Sequence, residues 1–206
     1  MTEVRRRTPT QRRSRETVEI VLEAAAQMFS REGLAATTNR IAERAGVSIG
    51  TLYQYFPDKH ALLRGLAERH LREGAARLEV VFAELRRTEP SFEQTVRTIL
   101  DTVVELHRDR PVLHALMHRV APRDMVELAE LRAFEEHLAD EVAHHLTRCG
   151  RGGTDPALTA RTMVHGLDTH LHRVLIHRSV DTDQLLDLVY RLIGDPRPAH
   201  RVRRAE

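Results

Sequence analysis

Apolar residues recur along this chain at helical spacing, and no stretch of useful length alternates between apolar and polar positions in the manner of a β-strand. The first periodic run covers residues 15–32 and places one apolar stripe on its helix: Val18, Val21, Leu22, Ala25, Met28 and Phe29. Gly33 follows this run in the position of a left-handed helix cap. The pattern predicts an all-α protein of about nine helices.

The residues after Gly33 predict two short helices joined by a tight turn. Thr37 or Thr38 can cap the first helix, Gly46 ends it, and Ser48 caps the second. Helices this short can bury their apolar residues only against each other and against the first helix. The pattern therefore predicts a helix-turn-helix within a three-helix unit.

The second helix of such a pair enters the major groove of DNA with its N-terminal residues leading. No charged residue lies between Ser48 and Phe56. With Leu52 and Phe56 turned inward, the outward residues are Ile49, Gly50, Thr51, Gln54 and parts of Tyr53 and Tyr55. Thr and Ile contact thymine methyl groups and Gln pairs with adenine, so this face suits contact with base edges.

The segment "TTNRIAERAGVSIGTLYQYFPDKHALL", residues 37–63, resembles the DNA-binding motif of the TetR family of bacterial transcriptional repressors. The similarity extends back through "VLEAAAQMFSREGLAATT", so it covers roughly residues 15–63. Together with the outward face described above, it predicts the following DNA-binding set: Thr38, Asn39, Ser48, Ile49, Gly50, Thr51, Tyr53, Gln54, Tyr55 and Lys59.

The resemblance also implies a role for several of these positions. Thr38, Tyr53, Tyr55 and Lys59 match phosphate contacts, and Asn39 matches a position that reaches a base or the DNA backbone. Thr38 has a plain helix-capping role as its alternative, and each tyrosine could instead be buried scaffold. Phosphate contacts of this kind orient a protein on DNA but do not read its sequence.

Helical periodicity continues to the end of the chain and sets the expected domain boundaries. A long fourth helix over residues 58–87 leads into five further helices, with capping signals at Ser91, Asp155 and Asp181 and a start at Pro111. The expected organisation is a basic disordered arm (1–14), a helix-turn-helix domain (15–60), a helical ligand-binding and dimerisation domain (61–194) and a disordered tail (195–206).

By analogy with the family, the last two helices, residues 155–194, form a homodimer interface. Ordinary packing within one protomer is the alternative for their apolar stripes. A small-molecule effector would enter the C-terminal helical domain, and the candidate contacts are Phe82, His107, Met117, His118, Phe134, Met163 and Leu167.

Thirteen histidines raise the question of a metal site. His114 and His118 have metal-compatible spacing, and His137, Glu141 and His145 share one helix face, as do His165, Asp168 and His172. A di-iron bundle requires two Glu-x-x-His motifs, and only Glu141-x-x-His144 is present. No metal or other cofactor is therefore predicted, while partly exposed or core-satisfied histidines, effector contacts, and metal or pH sensing all stay open.

Composition narrows the functional class. Formal net charge is +2, but six arginines and one glutamate fall within the first fifteen residues, in the manner of an arm attracted to polyanions. The single Cys149 excludes an internal disulfide framework. The N-terminus lacks the apolar stretch of a secretory signal, which favours a cytoplasmic protein.

These observations predict a homodimeric TetR-like regulator rather than an enzyme. We expect a repressor that binds a palindromic double-stranded DNA operator and is released by an unidentified small-molecule effector, without a membrane partner. Two alternatives remain: a metal-dependent helical-bundle enzyme using His114 and His118, and a constitutive DNA-binding protein that has no effector.

Overall fold

The computed structural model describes residues 9–108, 110–120, 125–174 and 181–194, and every regular element among them is helical. The α-helices in chain order are α1 (Pro9–Glu32), α2 (Thr38–Ala45), α3 (Ile49–Tyr55), α4 (Lys59–Thr88), α5 (Phe92–Arg108), α6 (Pro111–Val120), α7 (Met125–Arg148), α8 (Pro156–Thr169) and α9 (Thr182–Leu192). Among these described helices, none has the length and apolar content needed to cross a membrane.

The helices divide into two compact units. The first contains the described chain up to Leu71 together with α6, and the second contains the residues from Arg72 through α5 together with α7, α8 and α9. This geometric division falls inside α4, and Leu113 and Met117 of α6 are buried in the core of the first unit. The functional boundary at residue 60 stays a prediction.

The start of α1 also differs from the prediction. The helix begins at Pro9 rather than near Arg15, so it takes in part of the predicted disordered arm. Proline suits the first turn of a helix, where its missing N–H has no intrahelical acceptor. An ion pair between Arg12 and Glu16, 3.2 Å apart and one turn apart along the helix, adds modest support. Residues 1–8 of the predicted arm and the predicted tail at 195–206 lie outside the described residues.

The core of the first unit collects one or more fully buried side chains from each of its first four helices. Val21 and Phe29 of α1, Ile41 of α2 and Leu52 of α3 meet Leu62 of α4, and all five are fully buried. At the start of α6, Arg110 donates hydrogen bonds to both carboxylate oxygens of Glu23 on α1, at 2.6 and 3.2 Å. This charged contact holds the pKa of Glu23 below its usual range.

The second unit packs α5 and α9 together and α7 against α8. Its largest core cluster includes Phe92, Leu100, Leu146, Met163 and Val189. Predicted capping residues occupy their expected places: Ser91 and Gln94 bond each other's backbone N–H groups, and Asp155 accepts the Leu158 N–H at 2.9 Å.

The end of α8 departs from the single long helix predicted to Ser179. The α-helix stops at Thr169 and continues as a π-helical segment, His170–Val174. Residues 175–180 lie outside the described part of the chain. π-Helical turns are uncommon and occur frequently at functional sites, which marks this segment as a place to look for a specialised role.

A buried polar group links α4 to α7 within the second unit. Arg86 donates two parallel hydrogen bonds of 2.9 Å to the carboxylate of Glu141, a residue that is only 8% exposed. Burial raises the pKa of Glu141, but the bonds and charge of Arg86 outweigh it and lower the pKa overall. One turn further along α7, His145 is 2% exposed, and burial together with the nearby charges of Arg148 and then His144 lowers its pKa to about 4.

We predict that His145 makes the stability of the chain depend on pH. In the unfolded chain this histidine has a pKa of about 6.5. Between about pH 6.5 and pH 4, His145 is therefore mostly protonated in the unfolded chain and mostly neutral in the folded chain. Stability from this residue is complete above about pH 6.5 and is lost as the pH falls toward 4, with an upper bound of about 3 kcal/mol. Urea unfolding of the wild type and His145→Leu at pH 7 and pH 5 measures this difference.

Exposed His165 on α8 of the same unit provides the matched control, because it takes no part in shifting the pKa of His145. His165→Ala should retain the wild-type pH dependence, whereas His145→Leu should flatten it. A His145→Leu variant that loses stability between pH 7 and 5 as steeply as the wild type would contradict the assignment.

Candidate nucleic-acid interface

The turn between α2 and α3 is built from the capping residues that the sequence predicts. The Thr37 hydroxyl accepts the Arg40 N–H, Gly46 adopts φ +68°, and the Ser48 hydroxyl accepts the Thr51 N–H at 3.0 Å. Only glycine reaches such a left-handed conformation without steric cost. Gly46 therefore lets the chain reverse directly after α2, and the two short helices form the predicted helix-turn-helix.

The two faces of α3 have opposite environments. Leu52 is fully buried and Phe56, just past the end of the helix, is 8% exposed, so both attach α3 to the core of the first unit. On the outward side, Ile49 is 37% and Tyr53 48% exposed, and Gly50 and Gln54 are exposed as well. The structure thus presents an uncharged surface at the N-terminal end of α3, in agreement with the sequence pattern.

Two of the predicted phosphate contacts lie side by side. The hydroxyl groups of Thr38 at the start of α2 and Tyr53 on α3 are hydrogen-bonded at 3.0 Å. Tyr55 differs, because it is half-buried and its ring packs against the core. The two tyrosines are therefore not equivalent: Tyr53 presents its side chain to the surface, whereas Tyr55 also serves as scaffold.

Lys59 lies at the first residue of α4, and its ammonium group donates a hydrogen bond to the backbone carbonyl of Leu34, 2.8 Å away. Leu34 belongs to a short 3₁₀ turn, Gly33–Ala35, that leads into α2. An ammonium group has three N–H donors, so this bond orients Lys59 while leaving it able to contact a phosphate. The anchoring carbonyl carries no sequence signal and was not predicted.

Ser48 and Thr51 are tied to each other. Besides capping the helix, the Ser48 hydroxyl lies 2.8 Å from the Thr51 hydroxyl. The Thr51 hydroxyl is thus already engaged within the turn, and its methyl group is the part suited to an apolar base contact. Asn39 is exposed at the start of α2, and all ten predicted DNA-contacting residues belong to the first unit.

The predicted effector contacts fall in different clusters of buried side chains. Phe82 and Phe134 belong to one cluster of the second unit, while Met163 and Leu167 belong to another. Met117 is buried in the first unit, in one cluster with residues of α1. The side chain of His118 lies outside the described part of the structure.

The histidine groupings predicted from spacing are retained in part: Asp168 and His172 are paired at 2.8 Å, whereas other histidines contact residues outside their predicted groups. His114 makes an edge contact with the ring of His70 within the first unit, and exposed His137 pairs with Glu79 at 3.0 Å. His107 contacts His172, a residue 65 positions later in the chain. Burial lowers the pKa of His107, against an opposing hydrogen bond to the Val103 carbonyl.

Gly65 on α4 fits closely beneath α3. A Cβ atom at this position would lie 3.0 Å from Phe56 and 3.1 Å from Leu22, closer than ordinary carbon contacts. The absence of a side chain therefore lets α4 pack closely against Phe56, which anchors α3, and against Leu22 of α1. Nothing in the periodic pattern of α4 pointed to this requirement.

Two protein-family models match the chain. The model described as bacterial regulatory proteins, tetR family, matches residues 21–66. A second, described as the tetracyclin repressor-like C-terminal domain, matches residues 91–193. The first match includes the whole of α2 and α3, and the second begins just before α5 and ends just after α9.

Curated relatives match part of the chain. Nucleoid occlusion factor SlmA from Actinobacillus pleuropneumoniae serotype 5b is 38% identical over 87 residues, which cover 39% of this chain and 41% of the relative. SlmA from Haemophilus ducreyi is also 38% identical over 87 residues. The chain thus matches about two-fifths of the length of these curated relatives.

Solved structures share the fold. A crystal structure from Mesorhizobium loti, assigned to the TetR-family transcriptional regulators, superposes with a TM-score of 0.66 at 20% identity over 88% of this chain and 95% of that one. The fatty acid degradation regulator FadR from Bacillus halodurans gives 0.63 at 19% identity, over 87% and 99%. Identities this low establish the arrangement of helices alone.

We predict that Gly65→Ala destabilises the first unit. Alanine in place of an exposed helical glycine usually stabilises by about 1 kcal/mol, but overpacking a well-filled core costs about 1–3 kcal/mol. The expected net loss is about 1 kcal/mol, with weaker DNA binding because Phe56 supports α3. Gly74→Ala is the control on the same helix, since its Cβ would meet Leu106 at an ordinary 3.6 Å. Equal melting temperatures for the two variants would contradict this account.

Proposed function

The chain belongs to the TetR family of bacterial regulatory proteins, and we propose that it is a transcriptional repressor that binds a palindromic operator as a homodimer in the cytoplasm and is released by a small-molecule effector. The observation that carries this proposal is the outward face of α3. Ile49, Gly50, Tyr53 and Gln54 are exposed there while Leu52 is fully buried behind them.

That face has the chemistry of base recognition. Between Ser48 and Phe56 no side chain is charged, so base edges would meet apolar groups, hydroxyls and one amide. Gly50 has open space on its outer side, with Ser48 the nearest neighbour at 3.8 Å from an added Cβ. A residue without a side chain at this point lets the helix axis come close to the groove floor.

Phosphate contacts would flank this face. The bonded hydroxyls of Thr38 and Tyr53 lie at one edge, and the Lys59 ammonium lies at the start of α4. These groups position the protein without reading sequence, so they would supply affinity while α3 supplies specificity.

The proposed dimer interface is formed by α8 and α9. Met163, Leu185 and Val189 are already buried within one protomer. Part of the apolar surface of α8 and α9 therefore packs within the protomer, as the alternative predicts. Leu188 remains only half-buried on the flank of α9. Helix α3 has only seven residues, so one copy contacts little DNA. This supports a twofold dimer, because binding two half-sites doubles the contact.

Release by an effector requires that the effector bind the form with low DNA affinity more tightly than the DNA-binding form. Helix α4 contributes residues to both units, so a shift of its second half is a direct route to α3. Of the predicted effector contacts, Phe82 lies on this helix and is buried with Leu78 and Leu85.

A second DNA-binding role is favoured by one observation. Some relatives with 38% identity over 87 residues are named nucleoid occlusion factors rather than transcriptional regulators. A constitutive DNA-binding protein without an effector is therefore the competing function, and it predicts sites scattered over the chromosome rather than at a few promoters.

Footprinting of the purified protein on DNA upstream of its own and neighbouring genes tests the main proposal. A protected, twofold-symmetric site at a promoter is the expected result, and mapping of bound sites across the chromosome separates it from the competing role. Absence of protection even at low salt would overturn DNA binding itself.

We predict that Lys59→Ala weakens DNA binding about equally on all sequences. Removing one phosphate contact from each protomer should lower the slope of log K against log salt concentration by about one per protomer. Fluorescence anisotropy over a series of salt concentrations measures the slope.

Gln54→Ala is the contrasting variant. This exposed amide should change the preferred sequence selected from a random-site library and leave the salt slope unchanged, because an uncharged side chain releases no counterions. A normal slope in Lys59→Ala would remove Lys59 from the phosphate contacts.

We predict that Leu188→Glu converts the dimer to a monomer, since a charged residue buried at an interface without a partner is strongly unfavourable. Size-exclusion chromatography with light scattering measures the mass. Val80→Glu makes the same chemical change at a residue of the second unit that is 71% exposed, and it should leave the dimer intact. A dimeric Leu188→Glu variant together with a monomeric Val80→Glu variant would place the interface elsewhere.

A further inference from the structure

Two imidazole rings meet edge to edge inside the second unit. The Nε2 atom of His107, in the last turn of α5, lies 2.8 Å from the Nε2 atom of His172 in the π-helical segment. The ring centroids are 4.9 Å apart. The two residues are 65 positions apart in the chain, so the contact is a tertiary one.

The opposite nitrogen of each ring faces an oxygen acceptor. His107 Nδ1 lies 2.7 Å from the backbone carbonyl of Val103, and His172 Nδ1 lies 2.8 Å from the carboxylate of Asp168. A carbonyl or carboxylate oxygen only accepts, so both Nδ1 atoms must carry hydrogen. In two neutral rings, both Nε2 lone pairs then point at the same place.

Two lone pairs 2.8 Å apart repel each other unless a positive centre lies between them. Histidines that bind metals show this same arrangement: Nε2 faces the ion, while Nδ1–H donates to a carboxylate or a backbone carbonyl that sets the ring's tautomer and orientation. His172 and Asp168 supply the carboxylate version, and His107 and Val103 supply the carbonyl version.

We propose that His107 and His172 are ligands of a divalent transition-metal ion of the zinc class in the second unit, with Asp168 and Val103 orienting the two rings. Imidazole nitrogen favours Zn²⁺, Co²⁺, Ni²⁺ and Cu²⁺ over Mg²⁺ and Ca²⁺. This site is independent of the proposed DNA binding.

The ring positions need only a small adjustment to hold such an ion. Zinc–nitrogen bonds of about 2.0–2.1 Å in tetrahedral geometry separate two ligand nitrogens by about 3.3 Å. The two Nε2 atoms at 2.8 Å would therefore move apart by about half an ångström. A π-helical turn is the local feature that places His172 here, and Asp168 one turn earlier supplies a compensating negative charge.

Metal binding to the full-length, untagged protein tests the proposal. After treatment with a chelator, the protein is titrated with Co²⁺, whose visible spectrum reports nitrogen ligation, and with Zn²⁺ in competition with a chromophoric chelator. One ion per chain is the expected stoichiometry. His107→Gln and His172→Gln should each weaken binding by at least about 100-fold, and Asp168→Asn by about 10–100-fold because it retains both ligands.

His137→Ala is the matched control, since this exposed histidine of the same unit pairs with Glu79 instead. It should bind metal like the wild type, and circular dichroism should show that every variant is folded. Absence of binding by the folded wild type would overturn the proposal, as would equal affinity of the wild type and His172→Gln. A pair that holds only a shared proton in NMR titration, with no metal uptake, would also overturn it.

Discussion

The helix-turn-helix of α2 and α3 depends on the burial of one face of a helix that is too short to be stable by itself. Helix α3 has seven residues, fewer than an isolated helix needs to persist in water. Leu52 and Phe56 hold it against α1 and α4, and Gly65 leaves the space that Phe56 occupies. Because the inner face anchors the helix, the outer face is not needed for its stability and consists of uncharged residues.

Local signals in the amino-acid sequence are enough to predict the helix-turn-helix. These signals are a capping hydroxyl, a left-handed glycine and an apolar pair one turn apart, and each acts over only a few residues. The predicted places of Ser48, Gly46, Leu52 and Phe56 are confirmed. The DNA-binding role of the outward residues remains a prediction. The structure adds which hydroxyls are already engaged, as for Thr51 with Ser48.

Long-range contacts are beyond the reach of the pattern. Helix α6 has the same apolar periodicity whether it packs on the first unit or the second, so the burial of Met117 in a cluster with residues of α1 does not follow from its spacing. His172 was grouped with Asp168 by helical spacing, and that pair is present. Its partner His107 carries no periodic relation to it, because helical spacing relates only residues on the same helix.

The two halves of helix α4 are held by different contacts in the two units. Its first half is buried in the first unit through Leu62, Leu63 and Leu66, and its second half is held in the second unit by the Arg86–Glu141 pair and the cluster around Phe82. In the proposed repressor, α4 is the element through which an effector would act on α3. The size of any regulatory effect is then limited by how differently a ligand binds the two positions of α4, not by how tightly it binds either one.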